Sequence, residues 1–146
     1  AKPAPAAFAA VDAAVSAYAA EGTIPADYAR WSSAERQRFL DNIPKQRSAD
    51  QLATLDRALG LSGTGNNEEL FLWLELALAN RYEPAVPQAE EFLAEVGRAK
   101  FVRPLFQVLW DQGEWGRPIA KRIYAETRDG YHAVTRAGVD RLMAAD

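Results

Sequence analysis

Two cations separated by a single residue are the side chains of this sequence best placed to bind a ligand. Arg98 and Lys100 lie between Gly97, which is expected to end one helix, and Pro104, which is expected to begin the next. In extended backbone, residues two apart point the same way, so both charges would converge on one spot. An arginine can donate two parallel hydrogen bonds to a carboxylate, and a neighbouring lysine adds a compact positive charge. The pair is therefore of a type that can bind a carboxylate.

A structural interpretation competes with this one. Arg98 and Lys100 would then complement the C-terminus of the preceding helix, while Arg103 pairs with a nearby acid. On spacing alone the structural interpretation is favoured, because cations are common at helix ends. The spacing by itself therefore does not assign a binding role.

Neither metal chemistry nor nucleophilic catalysis is indicated by the residues of this chain. A zinc hydrolase commonly uses two histidines and a carboxylate, whereas the sequence has a single histidine, His132, no cysteine and no His-Glu-x-x-His pattern. His132 is interpreted as a structural or solvated residue near a helix start. No serine lies in a Gly-x-Ser-x-Gly turn, and adjacent carboxylates such as Glu68 and Glu69 are interpreted as first-turn charges on solvated faces. We therefore assign no metal ligand and no catalytic residue.

Charge and hydropathy narrow the class of partner. The net charge is −3, which argues against nucleic-acid binding, although residues 98–146 carry nine Lys or Arg against six Asp or Glu. No run of about 18 apolar residues is present, so no membrane span is expected. We expect a soluble protein, either cytoplasmic or bacterial periplasmic, because the absence of cysteine does not distinguish these compartments.

The elements that must position these residues are predicted to be helices, about eight in number, with no strand pattern. Apolar residues recur at steps of three and four, and Ser32-Glu35 and Ser48-Gln51 match the capping box of a helix start. Leu70–Leu78 is apolar nearly all round and predicts a helix buried on two sides at the centre of the fold. Asn66 or Asn67 is expected to cap that helix.

The C-terminal helices are predicted from proline and glycine positions. Pro104 and Pro118 are each expected to open a helix, with a turn around Trp115 between them. The last helix is expected to follow Asp129-Gly130 and to hold Val134, Val139 and Leu142. Residues 1–5 are interpreted as a linker or a remnant of a longer chain, and residues 6–146 as one helical domain. Short connections indicate antiparallel helix pairs, and both a two-layer solenoid and a compact bundle remain open.

A resemblance to a known family favours the ligand-binding interpretation of Arg98 and Lys100 over the structural one. The run at residues 97–106, Gly-Arg-x-Lys-Phe-x-Arg-Pro-Leu-Phe, resembles a signature of the C-terminal domain of leukotriene A4 hydrolase-like zinc aminopeptidases. Ala133 departs from the family pattern, which has proline there. Supporting matches are Trp31-Ser32-Ser33, Phe39-Leu40, Asn66-Asn67-x-Glu69, Trp73-Leu74, Ala85-Val86-Pro87 and His132-Ala133-Val134-Thr135.

The resemblance implies a fold, a partner and a role. The fold would be all-α, a two-layer α-α superhelix of antiparallel helix pairs similar to armadillo or HEAT repeats. The partner would be a catalytic domain of the same polypeptide, which carries the zinc and makes the parent protein a zinc metallo-aminopeptidase. The C-terminal domain would close one side of the active-site cleft, and Arg98 and Lys100 would bind the carboxylate of short peptide substrates. This chain would be inactive alone.

A second function from a different class stays open. A free-standing helical-repeat scaffold could bind a protein partner through one of its layers. The lack of a zinc motif and the alanine in place of an initiator methionine favour a fragment of a larger enzyme. Upstream sequence containing His-Glu-x-x-His would distinguish the two.

Overall fold

The computed structural model describes residues 5–145, and side chains from residue 8 onward, and this part of the chain is built from helices. It holds eight α-helices and four short 3₁₀ turns, and no strand, so the predicted all-α class and helix number are confirmed. The two-layer superhelix stays a prediction. The helices are α1 (Pro5–Glu21), α2 (Ser33–Asn42), α3 (Ala49–Leu59), α4 (Asn67–Ala79), α5 (Val86–Glu95), α6 (Ala99–Asp111), α7 (Gly113–Thr127) and α8 (Ala133–Ala144).

Two compact units divide the chain inside α4. The first unit ends at Trp73 and the second begins at Leu74. Pro5, the last residue of the predicted linker, is the first residue of α1, and residues 1–4 of that linker lie outside the described part. No helix described over residues 5–145 combines the length and the apolar character needed to cross a membrane.

Local hydrogen bonds start α2 and α3 as the sequence predicts. The Ser32 hydroxyl accepts from the Glu35 amide at 3.2 Å, and the Glu35 carboxylate accepts from the Ser32 amide at 2.9 Å. Ser48 and Gln51 repeat the pair of bonds at 3.1 and 2.8 Å. Each box satisfies two backbone donors that a helix start would otherwise leave unpaired. Gly60 ends α3 in the left-handed region, at φ 66°, where a side chain would be strained.

An aromatic cluster forms the core of the first unit. The buried ring of Phe39 lies 6.0 Å from Tyr18, 6.1 Å from Tyr28 and 5.7 Å from Trp31, measured between ring centroids. These edge and tilted contacts hold α1 and α2 together beyond the area that they bury. At the surface, Arg38 donates two hydrogen bonds to Asp12, which joins the same two helices.

Helix α4 is buried nearly all round, as predicted for Leu70–Leu78. The residues shielded from solvent are Leu70, Trp73, Leu74, Leu76, Ala77 and Leu78. The cap is Asn66 rather than Asn67, because the Asn66 side-chain oxygen accepts from the Glu69 amide at 3.0 Å. The residue that donates to this cap, Glu69, is itself buried, so α4 begins beside a buried acid.

The predicted starts of α6 and α7 are wrong, because both helices begin five residues before the proline expected to open them. Pro104 and Pro118 each lie at the sixth position of their helix. A proline inside a helix costs about 3 kcal/mol. Burying Phe101 and Val102, which precede Pro104, contributes about 1.5–3 kcal/mol each and offsets that cost. Trp115 accordingly lies in the first turn of α7 rather than in a separate turn.

Helix α8 holds Val134, Val139 and Leu142 as predicted, but the three are not equally buried. Val134 is 75% exposed, whereas Val139 is fully buried and Leu142 is half-buried. Thr135 takes the buried position instead, four residues before Val139. One helical turn separates Thr135 and Val139, so they share the face that packs against the rest of the second unit.

Candidate functional site

Arg98 and Lys100 lie at the start of α6 and not in an extended connection. Arg98 is the last residue before the helix, with φ −72° and ψ 127°, and Lys100 is its second residue. Both are exposed. Side chains two residues apart point the same way only in extended backbone. Lys100 already has helical backbone, so the spacing does not align it with Arg98.

The helix start nevertheless brings the two charges to one aromatic ring. The Arg98 guanidinium carbon lies 6.0 Å, and the Lys100 ammonium nitrogen 4.8 Å, from the centroid of Phe101. That ring is buried and packs edge-on against Phe92 of α5, with centroids 5.7 Å apart. The α5–α6 packing thus fixes the ring, and the ring fixes where the two cations gather.

The electrostatics at this point favour an anion. The first turn of α6 holds no acidic residue, and Arg98 provides no side-chain cap. The first amide groups of a helix carry partial positive charge, which here adds to that of two cationic side chains. A carboxylate carries the opposite charge and suits a helix start of this kind.

An open groove of about 530 Å³ lies next to this point, between α6 and α8. Lys100 and Arg103 stand on its rim. Arg103 crosses α8 at Gly138, where an added Cβ would come within 2.6 Å of its Nε. The missing side chain at Gly138 therefore leaves room for the Arg103 side chain. The lining residues are Ala99, Lys100, Arg103, Pro104, Gln107, Gly138, Val139 and Leu142.

The residues of this chain do not fit the zinc that the resemblance implies. Within residues 5–145 no three His, Asp or Glu side chains gather closely enough to hold a metal ion. His132 is an exposed residue directly before α8, and its side chain forms no cap. A zinc site would have to be built by another part of a longer protein.

A buried acid that the sequence analysis misread lies in the first unit. Glu69 was interpreted as a solvated charge, yet it is only 3% exposed. The Ser33 hydroxyl donates to it at 3.0 Å, and Arg36 lies 3.6 Å from its other oxygen. The spacing of Glu69, Trp73 and Ala77, each four apart, places the acid on a buried face and is the signal that could have revealed it.

The tyrosine beside this acid is also buried. Burial raises the pKa of the Tyr28 hydroxyl above its ordinary value, and the negative charge of Glu69 raises it further. The Arg36 guanidinium lies 5.4 Å from the Tyr28 ring centroid and donates to the Tyr28 carbonyl at 2.9 Å. Arg36 thus neutralises Glu69 and fixes the turn that carries Tyr28, which indicates a structural role for this cluster.

Sequence similarity places these features in a known context. The profile of the family described as "Leukotriene A4 hydrolase, C-terminal" matches residues 31–143. A protein named leucine aminopeptidase 2 from Neurospora crassa is 30% identical over 120 residues, which is 80% of this chain and 18% of that protein. Proteins of the same name from Phaeosphaeria nodorum and Aspergillus niger are 28% identical over 123 residues and 38% identical over 82. These segments are 82% and 56% of this chain, and 19% and 13% of the two relatives.

Proposed function

Because this chain belongs to the leukotriene A4 hydrolase C-terminal family, we propose that it acts as the C-terminal domain of a zinc aminopeptidase. In this role it closes one side of the active-site cleft, and Arg98 and Lys100 hold the carboxylate of a short peptide substrate. The chain spans less than a fifth of the length of the relatives that it matches, which leaves room for a catalytic domain in the same polypeptide.

The observation that carries the proposal is the gathering of Arg98 and Lys100 on the Phe101 ring. Phe101 is buried against α5, so its position is set before any substrate arrives. The ring thus gives both exposed cations a packed aromatic surface near the start of α6. The first turn of α6 itself holds no acidic residue.

The contribution of this chain to the reaction is binding and orientation. Arg98 can donate two parallel hydrogen bonds to the two carboxylate oxygens, and Lys100 adds a point charge. Holding the C-terminus of a short peptide fixes how far its N-terminal bond reaches into the cleft. Zinc in the catalytic domain would supply the activated water, and no residue of this chain takes part in that step.

The test uses the full-length protein and two substrates that differ in one group. Arg98→Ala is assayed on a tripeptide and on its C-terminal amide. Loss of one hydrogen bond to a charged group costs about 1.5–3 kcal/mol, which is roughly a 10- to 150-fold fall in kcat/KM. The fall is expected for the acid and not for the amide, which has no carboxylate for Arg98 to hold.

Arg122→Ala serves as the matched control. Arg122 is an exposed arginine on α7 that pairs with Glu90, so its loss removes the same charge from another surface of the unit. It is expected to leave the acid-to-amide ratio unchanged. Equal losses on both substrates in Arg98→Ala would refute carboxylate recognition and make Arg98 a structural helix-end cation.

A further inference from the structure

The groove between α6 and α8 begins at a residue that the carboxylate proposal already uses. Lys100 belongs both to the cation pair at Phe101 and to the rim of the groove. From there the groove follows α6 from Ala99 to Gln107, a distance of about 12 Å at the usual rise per residue. A ligand whose carboxylate lies at Lys100 therefore has the groove directly beside it.

The lining of the groove combines an apolar floor with positive charge at its rim. Its apolar surface comes from Ala99, Pro104 and Leu142, with the fully buried Val139 behind them, and its charges come from Lys100 and Arg103. No acidic side chain is among the described residues that line it. The Arg103 guanidinium itself lies against Gly138, because a Cβ added there would lie 2.6 Å from Nε and 3.1 Å from Cζ, so positive charge extends along this side of the groove.

We propose that this groove receives the side chain of the C-terminal residue of the peptide and selects a large apolar side chain there. The inference rests on the proposed function. The side chain and the carboxylate leave the same Cα atom, so a carboxylate held at Lys100 places the side chain within a few ångströms. Pro104 lies one helical turn after Lys100, so it is also within a few ångströms of Lys100 along the groove. The volume of about 530 Å³ is within the range of small-ligand sites.

The size of the expected preference follows from the burial available. Burying a leucine side chain completely contributes about 1.5–3 kcal/mol. The groove is open on one side, so about half of that is expected. The full-length protein should therefore show a kcat/KM about 5- to 10-fold higher for a tripeptide ending in leucine than for one ending in glycine.

The experiment compares tripeptides that differ only in the third residue, leucine, glycine or glutamate, each as acid and as amide. Calorimetric titration of the same peptides gives a second readout that does not depend on turnover. Leu142→Ala removes part of the apolar wall and should lower the leucine-to-glycine ratio about two- to fourfold. Val134→Ala, on the same helix but 75% exposed and outside the groove, should leave the ratio unchanged.

The outcomes of this experiment distinguish failure of the carboxylate proposal from failure of the groove proposal. Equal values for acids and amides would overturn carboxylate recognition. A preference for acids with no dependence on the third side chain, or with glutamate preferred to leucine, would overturn the groove assignment alone. If Leu142→Ala does not fold, Gly138→Ala replaces it. The added Cβ would displace Arg103 from the rim and should lower kcat/KM for the leucine acid more than for the glycine acid.

Discussion

At the scale of single residues, Asp140 joins two helices of the second unit through three hydrogen bonds. It accepts from the Tyr124 hydroxyl at 2.6 Å and from two nitrogens of Arg128 at 3.2 and 2.9 Å. The Arg128 guanidinium is the main reason that the pKa of Asp140 falls from 3.8 to about 2, with the Tyr124 bond second. Burial is the main reason that the pKa of Tyr124 rises to about 12, followed by its bond to Asp140.

This pKa shift predicts how stability depends on pH. A carboxyl with a lowered folded-state pKa stabilises the fold fully above its unfolded value, and that contribution disappears as pH falls through the folded value. Asp140→Asn should therefore be less stable than the parent chain at pH 6, and the difference should shrink between about pH 4 and pH 2. Urea unfolding across that range measures it. Asp129→Asn is the charge-matched control, and a difference that does not vary with pH would contradict the assignment.

Trp73 carries a second residue-scale prediction. Its side chain is fully buried in α4, and large-to-small changes at such sites cost about 3–5 kcal/mol for tryptophan. Trp73→Ala should lower the free energy of unfolding by that amount. Val134→Ala, at an exposed site, should change it by less than about 0.5 kcal/mol. A cost below about 1 kcal/mol at Trp73 would contradict the burial of α4.

At the scale of elements, α6 and α7 are helices that continue through a proline. In α6 the buried residues Phe101, Val102, Leu105, Phe106 and Leu109 follow each other at helical spacing on both sides of Pro104. The burial of this continuous apolar face outweighs the free-energy cost of placing Pro104 inside the helix. It also determines the candidate site, because a helix starting at Pro104 would leave Lys100 outside the first turn.

Pro104→Ala tests this balance. Alanine restores the missing amide donor and removes the clash of the proline ring with the Lys100 carbonyl, so the variant should be more stable by about 1–3 kcal/mol. Pro44→Ala is the control. Pro44 follows α2 outside any helix, so its replacement should instead cost about 0.4–1 kcal/mol through the unfolded chain. A loss of stability in Pro104→Ala would show that α6 does not run through that position.

At the scale of the whole molecule, the proposed function assigns substrate contacts to this chain and assigns catalysis to another domain. Its single histidine is exposed, and the described residues form no metal-binding group. Residues 98–146, which include Arg98, Lys100 and the groove, carry nine Lys or Arg against six Asp or Glu, although the whole second unit, from Leu74, carries ten against eleven. Under the proposed function there is a division of labour, in which this chain would position an anionic peptide end at Arg98 and Lys100 and a separate domain would cleave the other end.

The corresponding prediction concerns zinc. The chain of residues 1–146, dialysed after exposure to zinc, should retain much less than one equivalent and hydrolyse no peptide, because three ligands do not gather in the described part. Elemental analysis and a peptidase assay measure both properties. The full-length protein, treated in the same way, should retain one equivalent. Equimolar zinc on the short chain would contradict the proposed division.

Sequence patterns were enough to predict the all-α class, the capping boxes of α2 and α3, the buried face of α4 and the family. Each of these depends on residues within about one to three helical turns, or on a motif of ten residues, so it can be read along the chain. The start of α6, the burial of Glu69 and the groove depend instead on tertiary contacts. Phe92 and Phe101 pair across two helices to set the start of α6, and Ser33 meets Glu69 from 36 positions away. Gly138 meets Arg103 from another helix and gives the groove its wall. Such contacts have no local pattern, because their free energy comes from burial and pairing between residues that are distant in the chain.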